Sequence, residues 1–301
     1  MISVVIPTLN GAKSIGALLS SLKQQSVETE LIVIDSASID KTVAIAQAQG
    51  AKIIKIRRED FDHGATRNRA AREASGDILV FMTQDALPVN RFVVEHLTGA
   101  LRVPGVAASY ARQIARDDAS PPETFVRAFN YPPEPLTKTK ALIPTLGFKT
   151  FFFSNVCSSV RRDVFNRLGG FPEGVIMDED MLFAARAINN GYGVAYVPEA
   201  TVFHSHHYGW FRQFRRYFDI GASFRGHGNL LCVGTMGGEG MRFVREELRF
   251  LWKNGARFWI PYVLIELVCR YAGYTTGYHH PYVPRFLRRL MSLHRNFWDK
   301  G

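Results

Sequence analysis

Gly76-Asp77-Ile78-Leu79-Val80-Phe81-Met82-Thr83-Gln84-Asp85-Ala86-Leu87-Pro88 is the stretch from which the rest of the chain can be read. Five consecutive apolar residues, Ile78 to Met82, are too few for a helix and suit a strand buried on both faces. The run ends in a carboxylate and a proline, which puts Asp85 at the carboxyl end of a central strand. Ligands of open α/β sheets bind at that edge, so Asp85 is a candidate metal or ligand contact. The competing reading is an ordinary turn-forming Asp before Pro.

Outward from this strand, residues 2 to 125 alternate short apolar runs with helical patterns. Ile2 to Ile6 reads as a strand, Ile15, Leu18, Leu19 and Leu22 fall at helical spacing, and Leu31 to Ile34 is a strand ending in Asp35. Asp40 can cap a helix that stops at Gly50; Lys52 to Ile56 is a third strand, and Ala65 to Ser75 a helix closed by Gly76. This βαβαβαβ order predicts a mostly parallel sheet with right-handed crossovers. Polar groups gather where the strands stop: Thr8 and Asn10, then Asp35, Ser36 and Ser38, then Asp85. Several strands thus deliver hydrogen-bonding groups to one edge, as a nucleotide site on such a sheet requires. The absence of G-x-G-x-x-G after the first strand and of G-x-x-x-x-G-K-[ST] argues against a dinucleotide fold and a P-loop.

In Asp62-His63-Gly64-Ala65-Thr66-Arg67-Asn68, Arg67 and Asn68 fall in the first turns of a helix, where free N–H groups and the dipole favour an anion. A diphosphate contact and a solvated basic face shared with Arg69 and Arg72 both fit; His63 alone reads as a hydrogen-bonded structural histidine. Val106 to Ile114 reads as another strand, and Pro132 to Pro144 as an aperiodic connection suited to an acceptor-side loop or lid. Phe151 to Cys157 resumes a strand in which Asn155 needs a buried partner, protein or ligand. Asp178, Glu179 and Asp180 open a helix, where carboxylates are expected for capping and dipole reasons alone. Strands at Val194 to Val197 and Thr201 to Phe203 run into His204-Ser205-His206-His207. Histidines one residue apart share a face of an extended chain and suit a metal or a phosphate.

Pro7 and Asn10 on the opening strand, Asp35, the H-G-x-T-R-N run at His63 to Asn68, Thr83-Gln84-Asp85, Asn155 and the Glu179-Asp180 pair together resemble the inverting family 2 glycosyltransferases of the GT-A fold. The likeness is strongest to bacterial rhamnosyltransferases and extends over Ile2 to about Arg225. It implies a GT-A domain over 1–207, with a nucleotide-sugar half of about 1–115 and an acceptor half of about 116–207, and a helical extension over 208–301. The implied donor site comprises Pro7, Thr8, Asn10, Asp35, Ser36, His63, Arg67, Asn68, Thr83, Gln84 and Asp85, with Asp35 and the first-strand loop on base and ribose. The family's D-x-D motif has lost its first acid to Thr83. Asp85 is left to hold Mg²⁺ or Mn²⁺ on the donor diphosphate, helped by His204, which resembles a third metal ligand. Asn155, Glu179 and His206 are implied on the sugar or acceptor side, and the general base falls on Asp180. The implied reaction transfers a sugar, L-rhamnose from dTDP-rhamnose, to a cell-surface polysaccharide or lipid-linked glycan. A UDP- or GDP-sugar transferase of the same fold and an inactive nucleotide-sugar-binding scaffold are the alternatives.

With 301 residues the chain can hold one large domain or a domain with an appendage, and 47% hydrophobic against 21% charged residues is ordinary globular composition, for which disorder is not the default. Cys157, Cys232 and Cys269 are odd in number and lack C-x-x-C spacing, which argues for a reducing cytosol rather than a disulfide framework or zinc site. No basic region precedes the first apolar run, so the amino terminus reads as a strand, not an export signal. From Thr201 to Gly301, 15 Lys or Arg face 6 Asp or Glu, so nine of the ten net positive charges lie in the last third. These charges interleave with bulky apolar residues, a pattern that suits a membrane surface or packing and not nucleic acid. Arg257 to Tyr274 is the only candidate span. Its longest uncharged run, Phe258 to Ile265, is too short to cross, and Glu266 and Arg270 are placed to pair on a helix surface. A peripheral enzyme on the inner face of the cytoplasmic membrane, or a hydrophobic homodimer surface, is expected.

Overall fold

The computed structural model describes residues 1–206, 208–228, 230 and 237–299. His207 and Cys232 lie outside them. In chain order, β1 (Ile2–Thr8), α1 (Ile15–Lys23), β2 (Thr29–Asp35), α2 (Thr42–Ala48), β3 (Lys52–Lys55), α3 (His63–Glu73) and β4 (Ile78–Met82) follow the expected alternation. β1 pairs in parallel with both β2 and β4, and β2 with β3. Val4, Val5, Ile6, Val33, Leu79, Val80, Phe81 and Met82 are fully buried, which is why these strands read as unbroken apolar runs.

The chain continues through β5 (Leu87–Pro88), α4 (Val93–Gly99), β6 (Val106–Ile114), α5 (Pro121–Asn130), β7 (Leu136–Lys138) and α6 (Ile143–Leu146). Then come β8 (Cys157–Arg161), α7 (Arg162–Arg167), α8 (Glu179–Asn189) and β9 (Gly193–Phe203). The sheet order is β3-β2-β1-β4-β8-β6-β9-β5, with β7 on β9. β8 runs antiparallel between β4 and β6, whereas β6 and β9 are parallel.

Three local expectations change. The strand expected from Phe151 begins only at Cys157, and Gly147–Phe151 is a 3₁₀ helix that buries Phe151. An apolar run specifies burial, not extension. The strands expected at 194–197 and 201–203 are one strand, β9, whose register against β6 shifts between Ala111 and Arg112 so that residues 198–200 are bypassed. The connection expected to lack regular structure contributes β7, whose Lys138 is buried, so residues 136–138 belong to the sheet rather than to a lid.

Contacts divide the chain into two compact units. The first holds the sheet: Met1–Ile114, Tyr131–Glu173 and Glu179–His204. The second comprises Ala115–Asn130, Gly174–Asp178 and Ser205–Gly301 and is helical, with α5, α9 (Trp210–His227), α10 (Gly237–Lys253), α11 (Ile260–Tyr278) and α12 (Arg285–Met291). α9 and α11 approach backbone to backbone: a Cβ on Gly277 would stand 1.9 Å from the Phe218 carbonyl oxygen, and one on Gly221 2.2 Å from that of Tyr274. Glu266 and Arg270 do pair, but buried inside this unit rather than on a helix surface. Among the described residues no helix is long and apolar enough to cross a membrane.

Candidate active site

The carboxyl ends of β1, β2 and β4 are laced together by side chains. Asp35, 2% exposed, accepts hydrogen bonds from Thr8 Oγ1 at 3.2 Å, the Ser38 amide at 2.9 Å and Ser38 Oγ at 2.5 Å. Asn10 adopts φ 49°, a left-handed conformation that Asn tolerates. Its amide donates to Ser38 Oγ, and its Oδ1 accepts from the Ile39 amide. Gln84 spans from β4 to β1, accepting from the Leu9 N–H at 3.0 Å and donating to the Leu9 carbonyl at 3.2 Å. A Cβ on Gly11 would lie 2.3 Å from Gln84 Oε1, so only glycine lets this clasp close. Pro7 sits beyond Val5, the last β1 residue paired with β4, so its missing N–H removes no ladder bond there. The hydroxyls of Ser36 and Thr83 are buried at this edge without a hydrogen-bond partner. Such groups carry a desolvation cost that a polar ligand would relieve.

Asp85 lies on the same edge, and His204 Nε2 is 3.7 Å from its Oδ1. His204 follows β9, held by its amide on the Ile114 carbonyl, and its ring is buried. Gln113 donates through Nε2 to the Tyr131 hydroxyl and Ser154 Oγ, leaving its Oε1 to face His204 Nδ1 at 2.9 Å. Nδ1 must therefore carry the proton, and a neutral His204 presents the Nε2 lone pair toward Asp85. An orienting partner on the far nitrogen is the usual support of a metal-bound histidine. At 3.7 Å the two atoms are close enough for one divalent ion, with bonds of about 2.1 Å, to touch both. Sequence reasoning passed over Gln113, whose signal was a lone amide at the end of an apolar strand.

The β4–β8 pairing places the second acid. Met82 pairs with Cys157, and the Thr83 amide donates to the Val156 carbonyl, so Asp85 and Asn155 extend past the ladder at one edge of the sheet. The Asn155 amide donates to Asp180 Oδ2 at 2.9 Å, and the Met181 amide to Asp180 Oδ1 at 2.8 Å. Asp180 is half-buried.

Its neighbour has a different fate. Glu179, expected on the sugar side, is buried against Arg67, with Nη1 to Oε1 at 3.1 Å, and also accepts from Asn155 Nδ2 at 3.1 Å. Burial pushes this carboxyl up, but Arg67, His63 and the Asn155 amide outweigh it and hold it below its ordinary value. Arg67 is thus neither on a solvated face nor open to solvent: it is 5% exposed, and Nη1 also donates to the His63 carbonyl. Asn68, expected at the diphosphate, turns its whole amide to the 171–173 segment. It donates to the Phe171 carbonyl and Glu173 Oε1 and accepts from the Phe171 amide. Gly64 permits that docking, since a Cβ there would meet the Pro172 carbonyl oxygen at 2.0 Å. His63 packs edge-to-face on Phe61. Asn155, its oxygen taken by Ser158 Oγ, finds all its partners in the protein. His206 lies in the second unit, stacked on Tyr208 with ring centroids 5.0 Å apart.

The sequence and fold that carry this site are similar to those of proteins of known class. The family model described as glycosyl transferase family 2 matches residues 3–169, more than half of the chain. The chain belongs to glycosyl transferase family 2. Residues 139–283 of this glycosyltransferase also match the model for glycosyl transferase family group 2. It is 41% identical over 303 residues to the O-antigen chain rhamnosyltransferase RfbN of Salmonella typhimurium, covering 99% of this chain and 96% of RfbN. It is 42% identical over 279 residues to the O-antigen chain rhamnosyltransferase WbaN of Salmonella anatum, covering 92% and 88%. In fold it is similar to the mannosyltransferase PcManGT of Pyrobaculum calidifontis, solved with GDP-Man and Mn²⁺, at a TM-score of 0.64 and 18% identity over 92% of this chain and 86% of that one. It is also similar to TarS residues 1–349 of S. aureus, at a TM-score of 0.58 and 18% identity over 99% and 88%. The GT-A fold and the glycosyltransferase activity implied by the motifs both hold.

Proposed function

We propose that this glycosyltransferase moves L-rhamnose from dTDP-rhamnose, with inversion, onto a lipid-linked O-antigen glycan at the inner face of the cytoplasmic membrane. The near full-length identity to two O-antigen chain rhamnosyltransferases carries the reading. Residues of about 1–115 form its donor half, where Asp35, Asn10 and the first-strand loop receive base and ribose, and the buried Ser36 and Thr83 hydroxyls lack a protein hydrogen-bond partner. Asp85 and His204 would hold Mg²⁺ or Mn²⁺. Bound there, the ion supplies Lewis-acid stabilisation to the departing diphosphate, worth several kcal/mol.

Asp180 takes the proton of the acceptor hydroxyl as its oxygen attacks the anomeric carbon and the bond to the diphosphate breaks. A positioned base of this kind contributes about 10²–10⁴-fold. Glu179 and Arg67, locked together, fix the first turn of α8 and hence the carboxylate beside them. Unlike its buried neighbour Glu179, Asp180 is only partly buried, which supports it as the base. In the second unit, α11 leaves Leu264, Ile265, Val268 and Tyr271 exposed along one side, with Phe258 just before the helix. Arg249, Lys253 and Arg257, exposed and just before α11 in sequence, add positive charge to this part of the chain, and the apolar side of α11 is assigned to anionic lipid.

A thermal-unfolding screen of nucleotide sugars with and without Mn²⁺ tests the donor. A ligand at 100 times its Kd adds about 2.7 kcal/mol, readable as a shift of several degrees. dTDP-rhamnose with metal gives the largest shift in this account; a larger one from a UDP- or GDP-sugar would replace the donor assignment.

A further inference from the structure

A cavity of about 200 Å³ opens within the second unit between the start of α5, residues His206, Tyr208, Gly209 and Gln213, and the first half of α11. We propose that it is a subsite for one pyranose residue of the glycan acceptor, an inference that rests on the glycan-transfer reading above. Its walls are aromatic. The Tyr208 ring stacks on His206 at an interplanar angle of 8°, and the Arg212 guanidinium lies 4.4 Å from its centre. Trp259 and Tyr262 form a corner, their centroids 5.3 Å apart and their planes at 80°. Rigid aromatic surfaces pair with the C–H faces of a sugar ring.

Among the polar groups of the cavity, which include Ser120, His206 and Gln213, the two acids are already compensated. Glu123 is paired with Arg127 at 2.7 Å. Glu266, 5% exposed, is paired with Arg270 and receives Gln213 Nε2 at 2.9 Å. Carboxylates neutralised by arginines accept hydroxyl hydrogen bonds yet offer neither net charge to a cation nor a free guanidinium to a phosphate. The volume lies below the roughly 300–1,000 Å³ of sites that enclose drug-sized ligands, so a monosaccharide unit fits where a nucleotide does not. An uncharged, polyhydroxylated ring is the ligand that meets all three conditions.

Saturation-transfer NMR with a panel of methyl pyranosides on the full chain tests this, comparing wild type, Trp259→Phe and Trp259→Ala, with dTDP binding and the unfolding midpoint as controls. The expected result is millimolar binding of at least one methyl pyranoside, kept within about threefold by Trp259→Phe and weakened at least tenfold by Trp259→Ala, with dTDP affinity unchanged. Wild type that binds no methyl pyranoside, or Trp259→Ala that binds as wild type does, overturns the subsite. Donor turnover in the same preparations separates the two claims. Wild type that transfers sugar to a glycan yet binds no pyranoside here removes only the subsite. Wild type that transfers to no glycan removes the transfer reading and the acceptor assignment with it.

Discussion

The Gln113 amide orients the His204 ring. Gln113, tied by its nitrogen to Tyr131 and Ser154, can offer His204 only an acceptor, and so sets which ring nitrogen faces Asp85. Gln113→Leu is expected to weaken Mn²⁺ binding about 10–100-fold by calorimetry without unfolding the sheet, and an unchanged affinity would refute the orienting role. Arg67 makes an energetic claim of the same kind. Removing the guanidinium strands a buried carboxylate, so Arg67→Ala should cost about 3–5 kcal/mol in urea unfolding, and Arg67→Met with Glu179→Gln should recover much of it. The three acids of the account were legible because each stands where a predicted element ends or begins: Asp35 and Asp85 after strands, Asp180 at a helix start. Gln113 and the burial of Arg67 were not. Their partners lie far along the chain, and spacing alone cannot tell a basic helix face in water from one turned onto another helix.

The parallel strands could be read because burial on both faces leaves an unbroken apolar run bounded by turn residues. β8 and β9 were misjudged at their limits, since Phe151 is as buried in a 3₁₀ turn as in a strand, and the register shift let one strand pass over Pro198. The crossing of α9 and α11 depends on the missing side chain of Gly277, so Gly277→Ala is expected to destabilise the second unit by about 1–3 kcal/mol through forced separation of the helices. Charge makes the two units respond oppositely to pH. In the second unit, burial raises the Asp219 and Glu247 carboxyls to about 7, against Ser292, Leu293 and Arg215 for Asp219 and against Arg270 for Glu247. These groups bind protons in the folded unit that the unfolded chain has already lost, so their contribution to stability declines as pH rises from 3.8 for Asp219 and 4.5 for Glu247 to about 7. The depressed Glu179 works in the other sense, contributing above its unfolded pKa and losing that contribution as pH falls through the folded one. Hydrogen exchange corrected for intrinsic rates should show the second unit better protected at pH 5 than at pH 8. Equal protection would mean that these carboxyls ionise without penalty.

Over the whole chain, the positive charge and the exposed apolar residues of α11 both belong to the last third. Partial release of the protein from membranes by high salt, completed by detergent, is expected if both act. Ile265→Asp with Val268→Asp should shift the protein to the soluble fraction while donor turnover is kept, and a protein equally bound after those changes would exclude the α11 face. The basic, apolar composition of this third was visible in the sequence, but the side of α11 left uncovered was not, because that follows from where α9 packs. The central claim remains chemical: one half-buried carboxylate, held by the Asn155 amide beside a buried ion pair, deprotonates the acceptor. Its most direct test is turnover of Asp180→Asn with dTDP-rhamnose and a lipid-linked glycan acceptor, with donor affinity measured alongside. The account predicts at least about a hundredfold loss of turnover at unchanged donor affinity, and transfer at the wild-type rate would contradict it.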